Sequence, residues 1–296
     1  MTIVDPVRSE PRSLFGATDT HMHIYEPGFP LNPAVPSHAE PDAGLTDYRR
    51  EMRALGLGRT VIVQPSAYGM DNRCTLAAMA ALGSAARGVA ILPEDIGDAE
   101  VAHLEAAGMR GLRCLLDIAG GMMDWDSTCR MAPRFAERGW HLDLQFAGRE
   151  MAERAGTVAA LPGSLVIDHL GKLTGVLDPD GPAVAALLRL LDTGRVWVKL
   201  SAPYHADRAG PPGYDDVRIV ARRIVAHAPE RCLWASNWPH PNRSPRPDNA
   251  VLFRLLDTWA PDAAIQRAIL VDNPAQLYGF DAADGIPPDV SAQPRA

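Results

Sequence analysis

Short apolar runs rich in Val, Ile and Leu alternate along this chain with longer Ala-, Leu- and Arg-rich stretches. The runs GATDTHMH (16–23), TVIVQPS (60–66), RGVAILP (87–93), MRGLRCLL (109–116), HLDLQF (141–146), SLVIDHL (164–170), VWVKLSA (196–202) and CLWASNWP (232–239) read as eight strands. They are nearly continuous rather than strictly alternating, which is the pattern of parallel strands covered on both faces. Between them LTDYRREMRALG, CTLAAMAALGSAAR, EVAHLEAAG, PAVAALLRLLDTG and DDVRIVARRIVAHA carry apolar residues at three- and four-residue spacing. Several of these stop at Gly, a common helix end. Eight βα units in order predict one closed (β/α)₈ barrel of the TIM type over 16–280, with a doubly wound open sheet as the alternative. Residues 1–15 are then an N-terminal extension and 281–296 a flexible tail.

Polar residues gather at the carboxyl ends of these runs, the end that carries chemistry in barrel enzymes. Strand one ends in His21-Met22-His23, whose two imidazoles share one face. Strand two ends in Gln64 and Ser66, with Tyr68 and Asn72 beyond. Strand four carries Arg110 and Arg113, strand five Gln145, and strand six Asp168, His169 and then Lys172. Lys199 and Ser201 close strand seven ahead of Tyr204, and Asn237 and His240 close strand eight. A buried strand gains nothing from two imidazoles on one side, so the HxH pair is read as functional. His38, His103, His141 and His227 are read as core or surface residues, and Arg110 as equally able to face a helix. For Arg113 and Lys199 the plain alternative is a salt bridge closing the barrel. Trp125 is placed near the mouth, and Gly120-Gly121 lacks the context of a phosphate loop. The Pro-rich excursion LNPAVPSHAEPDAG after strand one is placed as a cover over the mouth.

A formal net charge of −7 argues against nucleic acid, which calls for a basic face. It leaves room for an anionic small substrate held by a few local cations. The four cysteines, Cys74, Cys114, Cys129 and Cys232, form no CxxC pair and are read as reduced thiols in a cytoplasmic enzyme. No signal-peptide core and no run of membrane-spanning length stands out, so no membrane partner is expected. The oligomeric state is left open.

GATDTHMHIYEPGFP, VIDHLGK and LWASNWPHPN together resemble the lactonase branch of the amidohydrolase superfamily, from about Gly16 to Phe280. That resemblance implies a distorted (β/α)₈ barrel acting on lactones of small dicarboxylic or sugar acids. Metal-binding relatives of the decarboxylase type use the strand-one HxH, a strand-five His and a strand-eight Asp. Here the last two positions hold Gln145 and Asn237, and neutral amides replace imidazole and carboxylate poorly around Zn²⁺. The expectation is therefore no required metal and no other cofactor.

The strand-eight Asp of the lactonases resembles a general base for water, a role closed to Asn237. Two explanations stay open: an Asp→Asn replacement in a lactonase, or a native Asn suited to isomerisation. The pairing of Gln145 with Asn237 favours the second. The resemblance then implies metal-independent isomerisation of an aldaric δ-lactone to a γ-lactone, in which a substrate hydroxyl supplies the nucleophile. His21, His23, His169, Asn237 and His240 form the expected catalytic set, with His169 the candidate base. Lys199, Gln145 and Asn237 are the expected oxyanion donors and Arg113 the carboxylate clamp. Tyr204, Ser66 and Asn72 are placed as hydroxyl binders. The rivals are hydrolysis of a pyrone or muconolactone dicarboxylate and a non-catalytic sugar-acid binder.

Overall fold

The computed structural model describes residues 14–34, 43–117 and 123–287. His38, Gly120-Gly121 and most of the Pro-rich excursion lie outside the described residues, as do 1–13 and 288–296.

Every predicted run contains a strand. These are β1 (Thr18–Met22), β2 (Arg59–Val63), β3 (Ala86–Ala90), β4 (Met109–Leu115), β5 (His141–Gln145), β6 (Leu165–Ile167), β7 (Val196–Leu200) and β8 (Cys232–Trp234). They pair in sequence order through parallel ladders from β1 to β8, giving a nearly closed TIM barrel. The connecting helices are α1 (Leu45–Leu55), α2 (Arg73–Leu82), α3 (Asp98–Ala106), α4 (Trp125–Glu137), α5 (Met151–Ala160), α6 (Pro182–Leu191), α7 (Asp215–His227) and α8 (Asn249–Trp259). Two short helices, α9 (Ala263–Arg267) and α10 (Asn273–Tyr278), follow around a π turn at Ala268–Asp272.

The predicted runs overshoot the carboxyl ends of the strands, most at β8, and backbone geometry explains the overshoot at β6 and β8. His169, Leu170 and Lys172 adopt φ of 53°, 52° and 45°, and Asn237 and His240 of 60° and 63°. Left-handed residues leave the ladder, so polar groups that the sequence places in strands sit on turns at its carboxyl end.

Within each apolar run the side chains still alternate. Ile62, Cys114, Leu142, Ile167, Val198 and Trp234 pack outward in the large core under the helices. Val61, Val89, Val166, Trp197 and Leu233 form a separate cluster with Tyr278 and Phe280. This second cluster is the barrel interior, sealed at its amino-terminal end by the last helix. There Arg59 and Arg87 lie over the Phe280 ring, 5.2 and 4.5 Å from its centroid. Residues 281–287 run across that end, with Arg59 donating to the carbonyls of Asp281 and Asp284 and Arg87 pairing with Asp284. Cys74, Cys114 and Cys232 are buried and unpaired, and Cys129 is exposed. Among the described residues no helix is long and apolar enough to cross a membrane.

Closure from β8 back to β1 relies on side chains as much as backbone. The Thr20 hydroxyl donates to Trp234 O at 2.8 Å, and Asn237 N donates to His21 O at 2.9 Å. Buried Asp19 accepts from Ser236 N (2.9 Å), Ser236 Oγ (2.5 Å) and Tyr48 Oη (3.0 Å). Asp19→Ala strands these donors in the interior and is expected to cost about 3 kcal/mol. Urea unfolding with an unchanged m-value checks it, and a loss below about 1 kcal/mol would remove Asp19 from the closure.

Candidate active site

The strand alternation that puts valines in the lower barrel puts ionisable groups one layer higher. Asp19 and His21 of β1, Arg113 of β4, Asp143 of β5 and Lys199 of β7 are all buried. Asp168 and His169, just beyond β6, join them. Lys199 is fully enclosed, with Nζ 2.5 Å from Asp143, 3.0 Å from Asp168 and 3.1 Å from His21 Nδ1. An ammonium has no donor left after three such partners. Its place is therefore beneath His21. Burial, then repulsion from Asp168, pushes the Asp143 carboxyl up. Burial also opposes ionisation of Asp168, but Lys199, His21 and His169 outweigh it and hold that carboxyl well below its usual range.

The tautomers of the HxH pair follow from their partners. His23 Nδ1 lies 2.8 Å from Val63 O, which only accepts, so His23 carries its proton there. Burial holds His23 well below the ordinary imidazole value, so it is neutral and its Nε2 is an acceptor. His21 Nε2, 3.3 Å away, then donates to it, and His21 Nδ1, flanked by Lys199 Nζ at 3.1 Å and Asp168 Oδ1 at 3.2 Å, accepts from the ammonium.

The carboxyl ends of β5 and β8 hold Gln145 and Asn237, whose neutral amides are poor ligands for a divalent metal. His21, Asp168 and His169 are a metal-ligating group among the described residues, with ligand atoms within 4.8 Å. A proton moved to His21 Nδ1, freeing Nε2 to ligate, would lie beside the Lys199 ammonium but would have Asp168 Oδ1, 3.2 Å away, as its acceptor. Asp168 already neutralises that ammonium. Gln145 Oε1 accepts from Arg113 at 3.1 Å, which removes another donor from the set.

His169 presents the complementary case. Its Nδ1 is 2.9 Å from Ser201 Oγ, and its Nε2 has no hydrogen-bond partner among the described residues. The ring stacks 4.8 Å from His21 and 5.5 Å from His205. Arg113 donates to Gln64 O (2.6 Å) and to Gln145 Oε1, and its Nε is unpartnered among the described residues. The guanidinium thus keeps N–H bonds for an anion. Gln145 Nε2 reaches Asp117 at 3.0 Å, and Asp117 pairs with Lys172 at 2.5 Å. Asn237, Tyr204 and His240 form one connected group beside β8.

Other expected positions are engaged elsewhere. The Asn72 amide donates to Met70 O and Ile91 O and accepts from Ile91 N, clamping the loop after β2 onto β3. Gln64 is tied to Gly69 O, Asp71 O and Thr75. Ser66 is half-buried on the turn after β2, and its hydroxyl has no partner among the described residues. Trp125 packs on Phe146 at 5.3 Å. Arg110 faces outward to Glu105 O, His141 is a core residue packed edge-to-face with Tyr278, and His227 pairs with Asp192 at the surface. Sequence reasoning missed Asp19, Asp143, Asp117, His205 and Arg243. Asp19 and Asp143 were detectable as ionisable residues two positions before His21 and Gln145, on the same strand face.

So many buried neutral imidazoles make stability depend on acid. Burial drives His21, His141 and His205 down to about 3 and His240 to about 4. A folded-state value below the unfolded one stabilises at pH above 6.5, and this is lost as pH falls toward the folded value. Each such group costs about 2 kcal/mol by pH 5. Asp19, pushed up to about 6 mainly by burial, returns only about 1 kcal/mol over the same interval, and Asp143 acts in the same sense. Calorimetry is expected to show Tm falling steeply from pH 6.5 to 5, and a flat profile would rule out neutral burial of these rings.

Comparison with known proteins agrees with this fold. Residues 18–280 match the profile of a family described as amidohydrolase. A D-galactarolactone isomerase of Agrobacterium fabrum is 38% identical over 269 residues, covering 89% of this chain and 91% of that one. A 2-pyrone-4,6-dicarboxylate hydrolase of Comamonas testosteroni is 35% identical over 277 residues, 89% of this chain and 90% of that one. A crystal structure of an Agrobacterium tumefaciens protein without ligand superposes with a TM-score of 0.85 at 38% identity, covering 92% and 98% of the two chains.

Proposed function

This chain belongs to the amidohydrolase family and is an enzyme of it, and from that premise we propose that it isomerises an aldaric-acid δ-lactone to the γ-lactone without a metal. The observation that carries the reading is the state of the carboxylates around the mouth. Asp168 is bound to Lys199, and Asp117 to Lys172 and Gln145, while the carboxyl end of β8 offers only the amide of Asn237. Each of these carboxylates is ion-paired, Asp168 through Oδ1 with its Oδ2 unpartnered among the described residues, so none is a free base for water. Isomerisation needs none, because the substrate carries its own nucleophile.

Arg113 holds the free carboxylate of the lactone. His169 Nε2 takes the proton of the ring hydroxyl as its oxygen bonds to the lactone carbonyl carbon. The tetrahedral centre collapses by breaking the bond to the old ring oxygen, which receives that proton back from His169. One C–O bond forms, one breaks, and no water enters. His205 accepts from Arg243 at Nδ1 (3.1 Å), so its neutral ring carries Nε2–H and can donate to the oxyanion. Lys199 acts through His21. Free thiols accord with a cytoplasmic setting, and the proposed substrate class with a place in sugar-acid catabolism.

The test is proton NMR of chelated protein with D-galactaro-1,5-lactone, beside Asn237→Asp. Appearance of the 1,4-lactone with the Asn protein is the expected result. Release of free acid by the Asp variant alone would make the chain a lactonase carrying a disabling Asn, and saturable binding without turnover would make it a binder.

A further inference from the structure

Four hydrogen bonds lead from Asn237 away from the mouth to the protein surface. Asn237 Nδ2 is 2.7 Å from Tyr204 Oη, which is 3.0 Å from His240 Nδ1. His240 Nε2 is 2.9 Å from Asn249 Oδ1, and Asn249 Nδ2 is 3.0 Å from Glu51 Oε2 on α1. The far end borders a cleft of about 410 Å³ between α1 and the start of α8, where Arg50, Glu51 and Arg246 face solvent.

Every member of this chain can in isolation point either way except the last, because a carboxylate only accepts. With Glu51 accepting, Asn249 must offer Nδ2 outward and Oδ1 inward. His240 then carries its proton on Nε2 and accepts at Nδ1. Tyr204 donates to that nitrogen, which leaves the phenol oxygen to accept from Asn237 Nδ2. The backbone cannot relax the last link. Asn237 N is bonded to His21 O at 2.9 Å and His240 N to Asn237 O at 2.8 Å, both on left-handed residues.

We infer that Glu51 is a positioning residue: through Asn249, His240 and Tyr204 it fixes the amide of Asn237 so that Oδ1, not the NH₂, faces the substrate. On the isomerase reading above, on which its kinetic consequence rests, Asn237 Oδ1 accepts from a second hydroxyl of the substrate, while the single proton of the attacking hydroxyl goes to His169 and its oxygen lone pair stays free to meet the carbonyl carbon. This replaces the expectation of Asn237 as an oxyanion donor. A reversed amide would hydrogen-bond that lone pair and blunt the nucleophile.

Glu51→Lys tests the relay, because an ammonium only donates and so reverses each link in turn. The ¹⁵N spectrum of the His240 ring is expected to show the proton on Nε2 in the wild type and on Nδ1 in Glu51→Lys. Glu51→Gln, which can still offer a carbonyl oxygen, keeps the wild-type tautomer. With D-galactaro-1,5-lactone, kcat is expected to fall about tenfold in Glu51→Lys with KM little changed, and to return in Glu51→Gln. A His240 proton that stays on Nε2 in Glu51→Lys overturns the relay, as does an equal loss of kcat in Glu51→Lys and Glu51→Ala. The tautomer is read without turnover, so the relay stands or falls on the ring spectrum even where the isomerase assignment fails.

Discussion

Lys199→Met is expected to destabilise the protein by about 3–5 kcal/mol at pH 8, the usual cost of removing one partner from a buried ion cluster. The cluster is enclosed, with side chains of Lys199, Asp143 and Asp168 all at 0% exposure. Methionine fills most of the space, so the loss is electrostatic. Two carboxylates then face an interior with no cation between them, and both are driven upward by burial and by each other. A folded-state value raised above the unfolded one favours the fold at low pH and penalises it as pH rises through it. The deficit against wild type is therefore larger at pH 8 than at pH 5. Urea unfolding at both values checks magnitude and sign. A deficit below about 1 kcal/mol at pH 8, or one that grows toward acid, would mean that the ammonium does not neutralise the cluster.

His169→Asn is expected to lower kcat by about 10²- to 10⁴-fold, the usual contribution of a general base. Asparagine suits the test because it tolerates the left-handed backbone at φ 53°. It also retains a polar group toward Ser201, so the fold is preserved while the proton acceptor is lost. KM is expected to stay within a few-fold, since Arg113 still binds the carboxylate. In the wild type, burial holds His169 well below the usual imidazole value. The base is thus already deprotonated at pH 6.5, and kcat/KM is expected to stay level from pH 8 to below that point. A variant within threefold of wild type would move the base to another group. An acid limb centred on 6.5 would assign it to an imidazole that burial does not shift.

The candidate site was partly readable in the chain itself. His21, His23, His169 and Asn237 stand out because chemistry at a barrel mouth needs polar groups at strand ends, where burial alone would select apolar ones. Lys199 stands out for the same reason, yet its position says nothing of its partners. Asp143, inside HLDLQF, and Asp168, beyond SLVI, lie 56 and 31 residues away in the chain. Barrel closure brings both onto one ammonium and turns an expected oxyanion donor into a support for His21. Asn72 has the right type and neighbourhood for a hydroxyl binder, but the backbone around it takes up both ends of its amide.

Periodicity determined eight alternating strands and helices from sequence alone, because strands buried on two faces and helices buried on one leave different spacings of apolar residues; the structure decided for the barrel over an open sheet. The sequence also determined which ends of the strands are polar, and the amide rather than carboxylate at position 237. Tertiary structure alone decided which way that amide points, which imidazole nitrogens carry protons, and which charges cancel. Those properties depend on distances of about 3 Å between residues far apart in the chain. A hydrogen bond is specified by both of its ends, and a linear pattern displays only one.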